Sequence, residues 1–260
     1  MNERIRVVKI GGNVVDDPEA LQAFVKDFSR LAGPKILVHG GGKEATRVSG
    51  ALGIETTMIE GRRVTDRATL DVVTMVYAGL INKRIVSMLQ AVGVDAIGLS
   101  GADGNVIKAV KRSSEPIDYG YVGDIDPMDV NDIFLSMMLK AGLVPVICAI
   151  THDGDGMLLN CNADTVASSV AVASSRIAPV DLIYCFEKPG VLSDPDDDTS
   201  IIGFIDHEAF ESLKADGVVS KGMIPKISNA LNAVDRGVSE VYIKSAANLL
   251  SAGGTLIAGC

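Results

Sequence analysis

The sequence predicts an α/β fold built on a largely parallel sheet, and three observations predict it. Short apolar runs with β-branched residues recur along the chain. Longer stretches with helical periodicity separate most of them. Several runs end in polar or glycine-rich turns, and in such sheets ligands bind beyond the carboxyl ends of the strands. Composition agrees. The chain is 47% hydrophobic but only 4% aromatic, so its apolar content is Val, Ile, Leu and Ala, which suits buried parallel strands under alanine-rich helices. At 260 residues it can bury a sizeable core, as one large domain or two unequal lobes.

The runs fall at residues 6–10, 36–38, 96–99, 144–150, 182–186 and 240–243, with helical patterns such as 18–31 and 68–92 between them. In the first run Lys9 stands between Val8 and Ile10 and is followed by Gly11-Gly12-Asn13. A lysine inside an apolar strand must aim its ammonium at something polar. An outward, snorkelling lysine is the plain alternative, and the adjacent glycines favour a ligand-facing one. The second run leads into His39-Gly40-Gly41-Gly42 and then a helical pattern from Lys43. A plain turn needs one glycine. Three let the backbone turn sharply and bring its N–H groups close to a ligand, and the helix dipole behind them suits a phosphate or carboxylate.

That loop fails the Walker pattern, since Glu44 follows Gly42-Lys43. It satisfies G-x-G-x-x-A, with Glu60 about twenty residues on, which keeps a nicotinamide-dependent oxidoreductase as an alternative. That alternative leaves the lysines without a role. Gly61-Arg62-Arg63-Val64-Thr65-Asp66 sets paired arginines before the long helix, where one can clamp a carboxylate. The third run ends in Ser100-Gly101-Ala102-Asp103-Gly104, expected at the same cleft as the other glycine turns.

Thr151 to Gly156 reads as a hairpin turn returning through residues 157–161, after which Asn162 or Asp164 caps a helix over 165–174. The pattern resets at Ile177-Ala178-Pro179-Val180, which places the lobe boundary between 1–178 and 179–260. Asp194-Pro195-Asp196-Asp197-Asp198 starts like an EF-hand loop, but Thr199 and Ile205 stand where glycine and glutamate are required, leaving a solvated loop. Gly222-Met223-Ile224-Pro225-Lys226 supplies a second lysine near the start of a helix over 227–234.

The net charge of −9 argues against a nucleic-acid or anionic-membrane partner, so an anionic ligand must be held by local lysines, arginines and backbone amides. Cys148, Cys161, Cys185 and Cys260 show no C-x-x-C and no metal-like spacing with the histidines, and no metal site is expected from protein side chains. Cys148 and Cys185 read as buried thiols of a reducing compartment. With no apolar signal region and no run approaching membrane-spanning length, a soluble cytoplasmic protein is expected.

Five of these stretches together resemble the amino acid kinase family, in its branch acting on N-acylated glutamate. They are Val8-Lys9-Ile10-Gly11-Gly12, Val38-His39-Gly40-Gly41-Gly42, Gly61-Arg62-Arg63-Val64-Thr65, Leu159-Asn160-Cys161-Asn162-Ala163-Asp164 and Gly222-Met223-Ile224-Pro225-Lys226, in the family's order. The resemblance implies an open α/β/α sandwich, an N-terminal lobe for the acylamino acid and a C-terminal lobe for Mg-ATP. It implies attack of the side-chain carboxylate on the γ-phosphate, giving an acyl phosphate on the arginine pathway. Sister activities on aspartate, glutamate or carbamate are the alternatives within the family.

Carried over by position, Lys9 and Lys226 neutralise the transferring phosphoryl group and Asp164 orients them. Gly41 and Gly42 offer N–H groups to substrate and phosphoryl oxygens, with Gly11 and Gly12 also at the phosphates. Arg63 and Asn160 bind the substrate's α-carboxylate and neighbouring groups. An ionised carboxylate is already the nucleophile, which accounts for the lack of a base constellation. Magnesium would be held by nucleotide and water. Two stretches depart from the family: Phe186-Glu187-Lys188-Pro189-Gly190-Val191 replaces a Ser-Asp-Val-x-Gly type, and Val219-Ser220-Lys221-Gly222 carries a lysine where an acidic residue is common. The chain starts near its first strand, whereas arginine-inhibited hexamers carry an extra N-terminal helix. A homodimer insensitive to arginine is therefore expected.

Overall fold

The β-branched runs pair into a single main sheet in the computed structural model, which describes residues 3–219 and 223–259. Its strands are β1 (Ile5–Ile10), β2 (Lys35–His39), β3 (Ala96–Leu99), β4 (Val144–Cys148), β5 (Val180–Phe186), β6 (Phe204–Ile205), β7 (Glu240–Ser245) and β8 (Thr255–Ile257). They lie in the order β6-β8-β7-β5-β1-β2-β4-β3. From β7 to β3 all neighbours are parallel, while β8 runs antiparallel to β7 and β6 follows β8. The chain leaves β1 toward β2 on one side and leaves β5 toward β7 on the other. Strand order therefore reverses between β1 and β5, and that reversal opens a crevice beyond their carboxyl ends.

Helices cover both faces. They are α1 (Pro18–Arg30), α2 (Gly42–Ala51), α3 (Arg67–Ala91), α4 (Asp132–Lys140), α5 (Ala163–Ser175), α6 (His207–Ala215) and α7 (Ile224–Asp235). The last part of α3 packs on α1 and on β3 and β4, while α4, α5 and α7 cover the opposite face. Helix α5 lies across β1, β2 and β5 with α4 and α7 beside it, so most of its circumference is buried. Its small Ala and Ser side chains permit that close approach. Asp17 starts α1 by accepting from the Glu19 and Ala20 amides, with Pro18 at the first helical position. Lys35 closes the same helix: its buried ammonium donates to the Phe28, Ser29 and Leu31 carbonyls at 2.9, 3.0 and 2.8 Å.

Three expectations are corrected. The apolar run at 144–150 breaks after Cys148, because the Ala149 and Ile150 carbonyls accept from Cys161 and Gly101 amides instead of a sheet neighbour. Ile150–His152 then pairs with Leu158–Asn160 as the expected hairpin. The long helix is not uniform, since Met75–Ile81 is a π-helical segment between the α-helical Arg67–Thr74 and Asn82–Ala91. Finally, α3, 25 residues long and containing an 18-residue stretch of mean hydropathy 1.3, is long and apolar enough by length and composition to cross a membrane. Its charged residues hid this in the sequence. Leu70, Val73, Val76, Ile81, Ile85 and Leu89 bury one side of it in the protein core.

Candidate active site

The glycine turns after β1 and β2 sit at the crevice where strand order reverses. Gly41 is the N-cap of α2 and has no side chain to occupy the first-turn N–H groups, which are left for a ligand. Its lack of a Cβ is a packing necessity as well. A Cβ there would stand 2.1 Å from Ile81 Cδ1 and 3.3 Å from the Tyr77 ring, both on the π-helical segment.

Behind the loop, His39 is fully buried, and burial lowers its pKa to about 4, so the ring is neutral at physiological pH. One ring nitrogen meets the Gly40 carbonyl at 2.8 Å and therefore carries the proton; the other accepts from Asn82 Nδ2 at 3.1 Å. Asn82 also donates to the Val146 carbonyl, and it fits because residue 98 on β3 is glycine.

One cavity of about 220 Å³ is lined by Lys9, Gly11, Gly12, Gly41, Gly42, Arg63, Asn160 and Asp164, among others. Lys9 reaches it from β1, with its nitrogen 2.6 Å from Asp164 Oδ1 at the start of α5. Asn162, not Asp164, caps that helix, accepting from the Asp164 and Thr165 amides. The Asp164 carboxylate is thus released for the lysine.

Arg63 is buried, and its guanidinium donates to the Gly42 carbonyl and Thr46 Oγ1 at 2.8 Å and to Thr56 Oγ1 at 3.1 Å. Those bonds fix one cation beneath the glycine loop, with further donor capacity at the cavity. Asn160 is also buried, and donates to Thr65 Oγ1 at 3.0 Å.

Lys226 lies in an adjoining cavity of about 170 Å³ that shares Gly11 and includes Asn13, Phe186, Glu187 and Lys188. Burial pushes the Lys226 pKa down, opposed by the charge of Asp164. Lys43 donates to Asn13, which lines this second cavity. Beyond them Val191, Leu192, Val218, Val219 and Met223 line an apolar space of about 260 Å³. The predicted residues within the described chain thus gather at one crevice. Gly222 and the Ser220-Lys221 departure lie outside the described residues.

The Ser100–Gly104 turn does not join the site. Strand β3 is at the sheet edge, Asp103 turns back onto the Ser100 amide and hydroxyl, and Gly101 packs on Ile107 and Thr151. Glu60 does not play the ribose-binding part either, since it occupies the turn of the hairpin joining Met58–Ile59 to Arg62–Arg63 with φ of 49°. Tyr77 and Val122 also line the first cavity; a tyrosine within an apolar helical pattern and a valine outside the periodic runs carry no sequence signal of a ligand. Cys148, Cys161 and Cys185 are free, buried thiols whose pKa values burial raises to about 12, 11 and 12. Cys260 is outside the described residues.

Comparison with known proteins agrees with this geometry. Residues 4–245 match the model of the Amino acid kinase family. Acetylglutamate kinase of Phocaeicola vulgatus is 50% identical over 99% of both chains. That of Bacteroides fragilis is 49% identical over 99% of this chain and 98% of its own. The crystal structure of smu.665 from Streptococcus mutans UA159 superposes with a TM-score of 0.81 at 28% identity, covering 98% of each chain. With two lysines and an aspartate at the switch point of its sheet, this chain belongs to the amino acid kinase family.

Proposed function

We propose that this protein transfers the γ-phosphoryl group of ATP to the side-chain carboxylate of N-acetyl-L-glutamate, or another N-acyl-L-glutamate, giving an acyl phosphate for arginine biosynthesis. The observation that carries the reading is the placement of Lys9 and Lys226 in adjoining cavities with Asp164 between them, while Arg63 and Asn160 face the first cavity. The relatives named acetylglutamate kinase, half identical over nearly the whole chain, support it.

In this reading the acyl amino acid occupies the first cavity, with Arg63 and Asn160 at its α-carboxylate. The triphosphate lies over Gly11, Gly12 and Lys226, and the apolar space behind Val191 and Met223 takes the base. A carboxylate oxygen forms the new bond to Pγ, the bond from Pγ to the β–γ bridging oxygen breaks, and ADP leaves with that electron pair. No proton is removed from the nucleophile, so the residues position the reactants and neutralise charge. Lys9 and Lys226 meet the phosphoryl oxygens, and the Gly41 and Gly42 amides add donors. Magnesium accompanies the nucleotide. Its ligands in this reading would be phosphate oxygens and water.

The lobes follow the same division, with residues 1–178 binding the acyl amino acid and 179–260 the nucleotide. In support, β1 to β4 form one half of the sheet and β5 to β8 the other. The reading extends to a cytoplasmic homodimer insensitive to arginine. Buried free thiols suit a reducing compartment, and the exposed Leu52, Met58, Met75 and Leu80 suit a second copy.

The test is a hydroxylamine trap for acyl phosphate with Mg-ATP and N-acetylglutamate, N-succinylglutamate, glutamate or aspartate. Hydroxamate with an N-acyl acceptor is expected. Signal confined to a free amino acid, or none at all, refutes the assignment.

A further inference from the structure

Phe186 ends β5 in one of the stretches that departs from the family, and the transfer scheme above gives it no part. It lies two positions after Tyr184, so the two rings stand on one face of the sheet, where they stack with centroids 5.9 Å apart and planes 14° from parallel. Lys9 is the register partner of Tyr184 on β1 and shares that face. The Lys226 ammonium sits 3.7 Å from the centre of the Phe186 ring, and the Lys9 ammonium 5.3 Å from it. A nitrogen that close to a ring centre lies over the ring face, which carries the negative end of the aromatic quadrupole. The Tyr184 hydroxyl donates to the Asp164 carbonyl at 3.2 Å and ties the aromatic pair to the start of α5.

Both lysines of the site thus converge on one aromatic face. The ionisable groups around Lys226 are Lys9 on β1, Asp164 on α5, Glu187 and Lys188 after β5, and Tyr184 and Cys185 on β5, whose pKa values burial raises so that they stay neutral. Asp164 is already paired with Lys9. The crevice between Asp164, Tyr184, Phe186, Lys226 and Asn229 leaves no room for a water molecule. An ammonium there lacks hydration on its inner side, and the ring face supplies the compensating attraction.

We propose that Phe186 is a positioning residue for phosphoryl transfer: its ring holds the Lys226 ammonium charged and partly dehydrated beside Lys9, ready for the incoming triphosphate. The proposal rests on the reading of Lys9 and Lys226 as the phosphoryl-binding lysines. A lysine held this way has little water to shed when phosphate oxygens replace the ring, and its approach to Lys9 is offset before any anion arrives.

Phe186→Leu keeps apolar bulk but removes the quadrupole, and Phe186→Tyr restores it. Interactions of this kind correspond to roughly two- to thirtyfold in an equilibrium. In protein labelled with isotopic lysine and free of nucleotide, the Lys226 NMR signal, assigned by its loss in Lys226→Arg, is expected to titrate lower in Phe186→Leu by about 0.4 to 1.5 pH units. Phe186→Tyr should titrate like the wild type.

In the hydroxamate assay, the alkaline limb of kcat/KM should move to lower pH in Phe186→Leu, because Lys226 loses its proton sooner as pH rises. Its kcat at neutral pH should fall roughly two- to thirtyfold with KM for the acyl acceptor unchanged, and Phe186→Tyr should recover it. Identical Lys226 titrations in all three proteins would overturn the proposal whatever the turnover. A shifted titration with unchanged kcat and pH profile would overturn the positioning role. Absence of acyl phosphate from the wild type would instead refute the underlying kinase reading, while the titration still decides whether the ring holds the lysine.

Discussion

Gly41→Ala isolates the contact between the glycine loop and the π-helical segment. The added Cβ would meet Ile81 Cδ1 at 2.1 Å, against an ordinary carbon contact of about 3.5–4.0 Å. Ile81 is 1% exposed, so it cannot swing into solvent, and the backbone φ of +156° is one that side-chain-bearing residues rarely adopt. Overpacking of this kind costs about 1–3 kcal/mol.

Ile81→Val removes the clashing Cδ1 atom itself and alone should cost about 0.5–1.5 kcal/mol as a small cavity. Combined, the substitutions relieve each other, and urea unfolding followed by circular dichroism should give a double variant more stable than the sum of single costs by about 1 kcal/mol. Its turnover should stay depressed, because the altered residue 41 still displaces an N–H aimed at the ligand. Strict additivity of the unfolding free energies would refute the packing argument, and unimpaired turnover would remove Gly41 from the site.

Arg63→Ala strips three hydrogen bonds from the loop and a cation from the first cavity, so KM for the acyl acceptor should rise about tenfold to a hundredfold. An unchanged KM in steady-state assays would place Arg63 in a purely structural role. Asp164→Asn preserves shape and leaves Asn162 to cap α5, so kcat should fall sharply while far-ultraviolet circular dichroism stays native. Intact turnover with a lowered melting temperature would reverse that assignment.

His39 gives a pH dependence of stability. The unfolded imidazole takes up a proton near pH 6.5, while the folded one resists until about 4. Its contribution is therefore fully present above pH 6.5 and is lost as pH falls through that window, up to about 3 kcal/mol. In His39→Gln the drop in stability between pH 7 and 4.5 should shrink; an equal drop would show that other groups cause it.

Much of the site was legible because its chemistry contradicts its surroundings. Lys9 in an apolar strand and a run of glycines before a helix are anomalies that point to a ligand, and both lie where strand order reverses. The Ser100–Gly104 turn carries the same local pattern yet follows an edge strand, and strand order is a property of pairing that no local pattern encodes. Tyr77 and Ile81 look like core residues in the sequence because they are core residues, and their second contact is with a backbone atom pattern, Gly41, that has no side chain to announce it. The break after Cys148 was hidden for a related reason, since its cause is the hydrogen bonds of Ala149 and Ile150 with distant amides.

The π-helical turn in α3 also bears on how this chain tolerates changes in length. In a regular α-helix one residue more or fewer rotates everything downstream by about 100° and would turn Ile85 and Leu89 out of the core. A π turn closes each hydrogen-bonded ring with one extra residue, so it confines the surplus to Met75–Ile81 and lets the flanking stretches bury the same faces. A deletion of one residue here would let the turn relax to ordinary α-helix with the domain still folded, yet would withdraw Tyr77 and Ile81 from Gly41. Length variation at this point would act on the site while sparing the fold, whereas a deletion in the regular turn before Ile85 would rotate Ile85 and Leu89 out of the core.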